Sequence, residues 1–300
     1  MLEKIQSENV SAIIPCYNCE SYISLAIESL LHQSVKPLEI IVVDDGSSDG
    51  SAKIASSFPV RILTHESNKG LAEARNTGIR EAIGSIVVFL DSDCEAYRQN
   101  IEVILSDFNE KGVASVGGQE YTGDKNTICD RFRLLYLRQN LGDVKRNDIY
   151  SLPGLCFAFR REIIINEGLF GAAFRTSGED TDATMRLKAK GYKLIYDPAV
   201  RVHHHRSDNV RSFVRTVYRW TYYGIMAGRS NYGVASKRKA ETGKRPWIKK
   251  RLRDFLHIMK LGKKEANFAV KLYFIVLLLL TSIVSEIGRI KCSRSLFGFR

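Results

Sequence analysis

The chain has 300 residues, a 44% apolar fraction and a formal charge of +12. That is enough for one large domain or two small ones, with a packed core, and it excludes an intrinsically disordered chain. The charge is uneven: residues 206–300 carry 22 Lys and Arg against 5 Asp and Glu, whereas residues 1–205 carry 23 against 28.

A mildly acidic body therefore precedes a strongly basic tail. Such a tail is expected to meet anions, whether lipid headgroups, nucleic acid or a phosphorylated substrate. The first residues, Met-Leu-Glu-Lys-Ile-Gln-Ser-Glu, have neither a basic segment nor an apolar one, so no secretory signal is expected.

In chain order, Val10–Pro15 is an apolar run. From Glu20 to Gln33, Ile23, Ala26, Ile27, Leu30 and Leu31 fall at helical spacing. Glu39–Val43 predicts a strand, Ser51–Phe58 a helix and Val60–Leu63 a third strand. Leu71–Ile83 predicts a helix with Gly78 inside it, Ser85–Leu90 a fourth strand and Val113–Val116 a fifth. Strands alternate with helices and are apolar throughout, the pattern of a parallel sheet covered on both faces.

Beyond about residue 120 the alternation fades. Thr127–Asn140 reads as a helix, Ser177-Gly178-Glu179-Asp180 as a helix start, and Lys193–Tyr196 and Val200–Val202 as short strands. Asp208–Arg229 predicts a helix with Arg211, Arg215 and Arg219 on one face. Tyr218, Trp220, Tyr222 and Tyr223 are interleaved with them, which suits a membrane interface. Lys237–Arg253 is charged and turn-prone. Leu272–Ser285 is a charge-free apolar run that could span a bilayer if extended back to Ala266, or lie in its interface. No nucleic-acid-binding motif accompanies the charge.

In a parallel sheet, ligands bind at the carboxyl ends of the strands. Tyr17 follows the first strand, Asp44 and Asp45 the second, Asp91 and Asp93 the fourth, so all are expected on one edge. Asp91 and Asp93 are one residue apart and repel each other. A hard cation bound between them would relieve that repulsion. Their spacing with Glu95 and Glu102 also matches an EF-hand loop, but Ala96 stands where glycine is needed and a strand precedes the loop. Cys16 and Cys19 form a C-x-x-C with no second pair to complete a zinc site, so reduced, partly buried thiols are expected.

Four stretches occur in order: Val-Ser-Ala-Ile-Ile-Pro-Cys-Tyr-Asn (10–18), Ile-Ile-Val-Val-Asp-Asp-Gly-Ser-Ser-Asp-Gly (40–50), Asn-Lys-Gly-Leu-Ala-Glu-Ala-Arg-Asn-Thr-Gly (68–78) and Val-Val-Phe-Leu-Asp-Ser-Asp (87–93). Gly-Glu-Asp-Thr-Asp (178–182) follows. Together they resemble the family 2 inverting glycosyltransferases of the GT-A fold, over about residues 8–205.

The resemblance implies an α/β fold: a Rossmann-like, nucleotide-sugar-binding GT-A domain over 1–205, and a basic, mostly helical, membrane-associating region over 206–300. It implies transfer of a sugar from a nucleotide-sugar, a UDP-sugar first, to a saccharide or lipid-linked acceptor in surface glycan assembly. The setting is the cytoplasmic face of the cell membrane, with Mg²⁺ or Mn²⁺ as cofactor. It places Pro15, Tyr17, Asp45, Asn68, Arg75 and Asp91 in the donor site, with Tyr17 and Asp45 at the base. It makes Asp93 and Asp91 metal ligands.

By the same resemblance Asp180 is the general base, with Glu179 and Asp182 as rivals. His203 is the expected third ligand and His205 its rival, since alternate residues of a strand share a face and His204 would point away. Two other readings are a non-catalytic nucleotide-sugar-binding protein of the same fold, and a phospho-acceptor receiver built on Asp44-Asp45. The latter leaves residues 170–205 unexplained.

Overall fold

The computed structural model of the protein describes residues 10–147, 149–230, 246–260 and 268–296. The chain divides into two compact units. One comprises residues 10–123 with 139–206; the other comprises residues 124–138 with the chain from 207 onward.

The first unit opens with β1 (Val10–Cys16), α1 (Ile23–Leu31), β2 (Glu39–Asp44), α2 (Ser51–Ala55), β3 (Arg61–Thr64), α3 (Leu71–Glu81) and β4 (Ile86–Leu90). It continues with β5 (Cys94–Ala96), α4 (Asn100–Phe108) and β6 (Val113–Gly123). After α5 (Ile128–Tyr136), which belongs to the second unit, come β7 (Cys156–Arg160), α6 (Arg161–Asn166), α7 (Glu179–Ala189) and β8 (Lys193–His204). The eight strands form one sheet in the order β3-β2-β1-β4-β7-β6-β8-β5.

The sheet is mixed, where the sequence pattern predicts a parallel one. β1 to β4 are parallel to one another, but β7 is inserted antiparallel to both β4 and β6, and β5 runs antiparallel to β8. The strands expected at 193–196 and 200–202 are one strand, β8, running through Asp197-Pro198-Ala199.

Both faces of the sheet are covered. Ala12, Ile14, Val42, Val88 and Leu90 pack with the apolar side of α1 and α4. Ile13, Ile41, Val43, Val87 and Phe89 pack with α3 and α7. Alternate residues of the same strands thus enter different cores, which is why those strands carry no polar face. Gly78 lets α3 lie close on the sheet: a Cβ there would sit 2.5 Å from Ile13 Cγ2. That contact accounts for a glycine inside a helix, where it costs about 1 kcal/mol against alanine.

The second unit holds α5, α8 (Val210–Ser230), α9 (Pro246–Lys260) and α10 (Phe268–Leu296). Its core joins Phe132 and Tyr136 of α5, Phe213 and Val217 of α8, Ile258 of α9, and Phe274, Leu277 and Leu278 of α10. Thr127 and Asp130 cap α5 reciprocally, and Asp130 also accepts the Asp208 backbone N–H at 2.6 Å. The turn-prone stretch expected at 237–253 is helical from Pro246; its earlier part lies outside the described residues.

Candidate active site

The carboxyl ends of β1, β2 and β4 present the polar residues that the sequence pattern gathers there. Tyr17 follows β1 and is half-exposed. Beneath it the Cys16 and Cys19 sulfurs are buried, free and 2.8 Å apart. Pro15 lies buried within β1. After β2, Asp45 is buried; it accepts hydrogen bonds from His65 Nδ1 (2.6 Å), Lys69 N (2.8 Å) and Gly70 N (2.8 Å). Its carboxylate therefore ties down the loop that carries Asn68. Asn68 is exposed, and its carbonyl accepts from Arg175.

Arg75 projects from α3 and is wholly buried. Nη2 donates to Asp91 Oδ1 at 2.7 Å and to the Gly154 carbonyl at 3.1 Å, while Nη1 donates to Glu179 Oε1. The guanidinium also lies over the Phe157 ring, 4.9 Å from its centroid. The resemblance places Arg75 in the donor site. The structure commits its fork to two carboxylates that sit on different elements.

Asp91 and Asp93 stand in the turn between β4 and β5, where the Cys94 N–H bonds back to the Asp91 carbonyl. Both keep partial access to solvent, at 26% and 32% side-chain exposure. Burial raises the Asp91 carboxyl to about 6, with Asp93 adding to the rise and Arg75 opposing it. Burial also pushes Asp93 upward, but the attraction and hydrogen bond of His204 overcome it and hold Asp93 well below the usual carboxylate range.

His204 is the histidine that faces this pair. Its Nε2 lies 3.3 Å from Asp93 Oδ2, and its Nδ1 lies 3.1 Å from Glu120 Oε1. Burial by itself would lower its pKa, yet the flanking carboxylates raise it to about 9. The three rings alternate along β8: the His203 and His205 centroids are 4.4 Å apart on the other side. They bond to Thr122 (2.9 Å) and Glu95 (3.2 Å). Of the three, His204 rather than His203 or His205 faces Asp93, because pairing of Cys94 with His204 brings His204 to the turn.

The ligand atoms of Asp93, Cys94 and His204 lie within 4.8 Å of one another. Burial pushes the Cys94 thiol far up, and a soft sulfur is a poor match for a hard cation. Asp93 and His204, once the ring gives up the proton it holds between its carboxylates, offer an oxygen and a nitrogen of the kind that Mg²⁺ or Mn²⁺ accepts; Asp91 stands in the same turn but outside that cluster, with Oδ1 on Arg75.

At the start of α7 stand Glu179, Asp180 and Asp182. Glu179 is buried on Arg75, and burial raises its carboxyl to about 7. Asp182 is buried and pairs with Arg186 one turn on, at 3.5 Å. Asp180 alone of the three keeps partial exposure. Its Oδ1 accepts the Thr181 N–H at 2.7 Å, it packs against Gly154, and burial raises its pKa.

A mixed α/β sheet of this kind is the GT-A fold of glycosyltransferases, and solved structures share that fold. The mannosyltransferase PcManGT from Pyrobaculum calidifontis, in complex with GDP-Man and Mn²⁺, superposes with a TM-score of 0.62 over 93% of this chain and 87% of that one, at 18% identity. TarS of S. aureus gives 0.57 over 95% of this chain and 54% of that one, at 17% identity.

The profile described as Glycosyl transferase family 2 matches residues 11–168. The chain belongs to that family. Glycosyltransferase AglE of Haloferax volcanii is 31% identical over 196 residues, 62% of this chain and 64% of that protein. The pre-mycofactocin glycosyltransferase of Mycobacterium tuberculosis is 29% identical over 226 residues, 72% of this chain and 46% of that protein. The chain thus spans less than two thirds of the length of either relative.

Proposed function

We propose that the chain is an inverting, divalent-metal-dependent glycosyltransferase. It takes a sugar from a nucleoside diphosphate donor, a UDP-sugar first, and passes it to a saccharide or lipid-linked acceptor in the assembly of a cell-surface glycan. The basic helical region holds it at the cytoplasmic face of the membrane. The observation that carries the reading is the convergence of Asp91, Asp93, Arg75, Glu179 and Asp180 at one place in the fold. Solved structures of the same fold support the donor class: PcManGT is in complex with GDP-Man and Mn²⁺, and TarS with UDP-GlcNAc.

Asp91, Asp93 and His204 would hold Mg²⁺ or Mn²⁺, which when bound neutralises the charge that builds on the departing diphosphate. Tyr17 offers its exposed ring to the base of the donor. Asp180 takes the proton of the acceptor hydroxyl as that oxygen attacks the anomeric carbon. The attack comes from the face opposite the diphosphate, whose bond to the sugar breaks in the same displacement, so the configuration inverts. The raised pKa of Asp180 suits it to this task. Glu179 and Asp182 are the poorer bases, each buried on an arginine. Arg75 is a positioning residue: it fixes Asp91 and Glu179 relative to each other.

The test is release of nucleoside diphosphate from a panel of UDP-, GDP- and dTDP-sugars, with Mg²⁺ or Mn²⁺ and with EDTA, for wild type and Asp93→Ala. Turnover of one donor, lost with EDTA and with the substitution, is the expected result. Donor binding with no turnover of any donor would convert the reading to a non-catalytic nucleotide-sugar-binding protein.

A further inference from the structure

The second unit carries an apolar face that its own core does not use. Leu272, Val276, Leu279, Ile283, Ile287 and Ile290 of α10 are each 45–58% exposed, and Phe268 at the head of the helix is 82% exposed. Their spacing of three and four residues places them on one side of the helix. From Leu272 to Ile290 the stripe runs about 27 Å. The opposite side, with Phe274, Leu277, Leu278 and Val284, is buried in the core of the unit. Single exposed apolar residues are ordinary on protein surfaces; an unbroken row of this length marks an interaction surface.

Charge identifies what covers it. The helical period sets Lys271 and Arg289 along one margin of the stripe and Lys291 along the other. The acid that α10 carries, Glu286, is paired with Arg289. The same arrangement recurs on α9, where exposed Phe255, Leu256 and Met259 neighbour exposed Arg253 and Lys260. An apolar arc with cationic borders matches the boundary between acyl chains and anionic headgroups of a bilayer.

Length and composition alone would let Phe268–Cys292 cross a membrane. The packing of the unit opposes that. Crossing alone would strip Phe274 from Phe132 and Tyr136, whose ring centroids lie 5.6 and 6.2 Å away, and Ser285 from Thr221 at 3.2 Å. Crossing as a bundle would carry exposed Arg211 and Arg215, and the buried Arg133–Asp208 ion pair, into hydrocarbon.

We infer that α10 lies in the plane of an anionic phospholipid bilayer, with its Leu272–Ile290 stripe sunk into the headgroup–acyl boundary. This deepens the membrane association proposed above and rests on it.

The test uses the full chain and vesicles of phosphatidylcholine, with and without phosphatidylglycerol, in a sedimentation assay. Expected are binding that needs phosphatidylglycerol, and release of membrane-bound protein by alkaline carbonate. Leu279→Glu with Ile283→Glu should reduce the bound fraction tenfold or more, because each replaces a large apolar side chain at the centre of the stripe with a charge. A second variant, Lys271→Gln with Arg289→Gln and Lys291→Gln, should weaken the preference for phosphatidylglycerol, the rest of it lying with Arg253 and Lys260 of α9, while leaving the fold, judged by circular dichroism, unchanged.

Protein that resists carbonate would show a spanning helix and overturn the inference. A dimer dissolved by the glutamate variant in light scattering, with no vesicle binding, would assign the stripe to a second copy and overturn it as well. So would a monomer that binds no vesicle. Donor hydrolysis measured on the same preparations separates the two readings. Turnover without vesicle binding sinks the docking alone; vesicle binding without turnover of any donor sinks the enzymatic reading alone.

Discussion

The imidazole of His204 is held between two carboxylates, 3.3 Å from Asp93 Oδ2 and 3.1 Å from Glu120 Oε1. Glu120 is fully buried, and its Oε2 also accepts the Gln139 N–H at 3.0 Å, so it orients the ring rigidly. A ligating histidine commonly gives its second nitrogen to such a carboxylate, and loss of that partner costs about 10–100-fold in metal affinity. Glu120→Gln is therefore expected to weaken Mn²⁺ binding by about that factor, and His204→Ala by at least as much. The EPR signal of free Mn²⁺ in a titration measures both. Equal affinities in wild type and the two variants would remove His204 from the metal site.

Arg75 is expected to dominate the stability of the site. It is buried between Asp91 and Glu179, and its removal strands the Glu179 carboxylate in the interior and leaves partly exposed Asp91 without its cation. Breaking a buried pair by removing one partner costs about 3–5 kcal/mol. Arg75→Met should lose about that much in urea denaturation. Arg75→Lys should rescue little, since one ammonium cannot reproduce a fork that reaches two carboxylates and a carbonyl. A lysine variant of wild-type stability would show that the fork geometry is not required.

The first four strands and three helices were legible because each is a single-period apolar pattern with both sheet faces covered. Strand direction was not legible. The run Cys-Phe-Ala-Phe-Arg of β7 carries no mark of polarity, and its antiparallel place between β4 and β6 is fixed by contacts such as Phe89 against Phe157 across 68 positions of chain. The pattern ends one strand at Tyr196 and starts another at Val200, yet β8 is continuous through Pro198, which cannot donate but whose carbonyl accepts from Gln119. The motifs showed which carboxylates gather. They did not show that Arg75 would spend itself on Asp91 and Glu179, nor that Glu120 stands behind His204, since both depend on pairings far apart in sequence.

Glu179 makes stability depend on pH in a definite direction. Its carboxyl is raised from 4.5 to about 7 by burial, partly offset by Arg75. Between those values the folded protein binds more protons than the unfolded chain, so stability falls as pH rises through that window and is level on either side. The loss is on the order of 3 kcal/mol. Glu179→Gln cannot titrate, so the wild-type minus variant difference in unfolding free energy should decline across the window. A flat difference would mean that Glu179 titrates in the folded protein as it does in an unfolded chain.

The three acids of α7 should separate kinetically. Asp180→Asn removes the proposed base and is expected to lower kcat by about 10²–10⁴-fold with little change in donor affinity. Asp182→Asn, whose carboxylate pairs with Arg186, should leave kcat within a few-fold and act on stability instead. Gly154 supplies an independent probe of position. A Cβ there would sit 2.7 Å from Asp180 Oδ2, so Gly154→Ala must displace that carboxylate. Misplacing a catalytic group by about 1 Å can cost on the order of 10²-fold. Gly154→Ala should therefore lower kcat without lowering donor affinity, as measured by single-turnover transfer beside equilibrium donor binding. Wild-type kcat in Asp180→Asn with a collapse in Asp182→Asn would move the base two residues along the helix, to a carboxylate that would have to leave Arg186 before it could accept a proton.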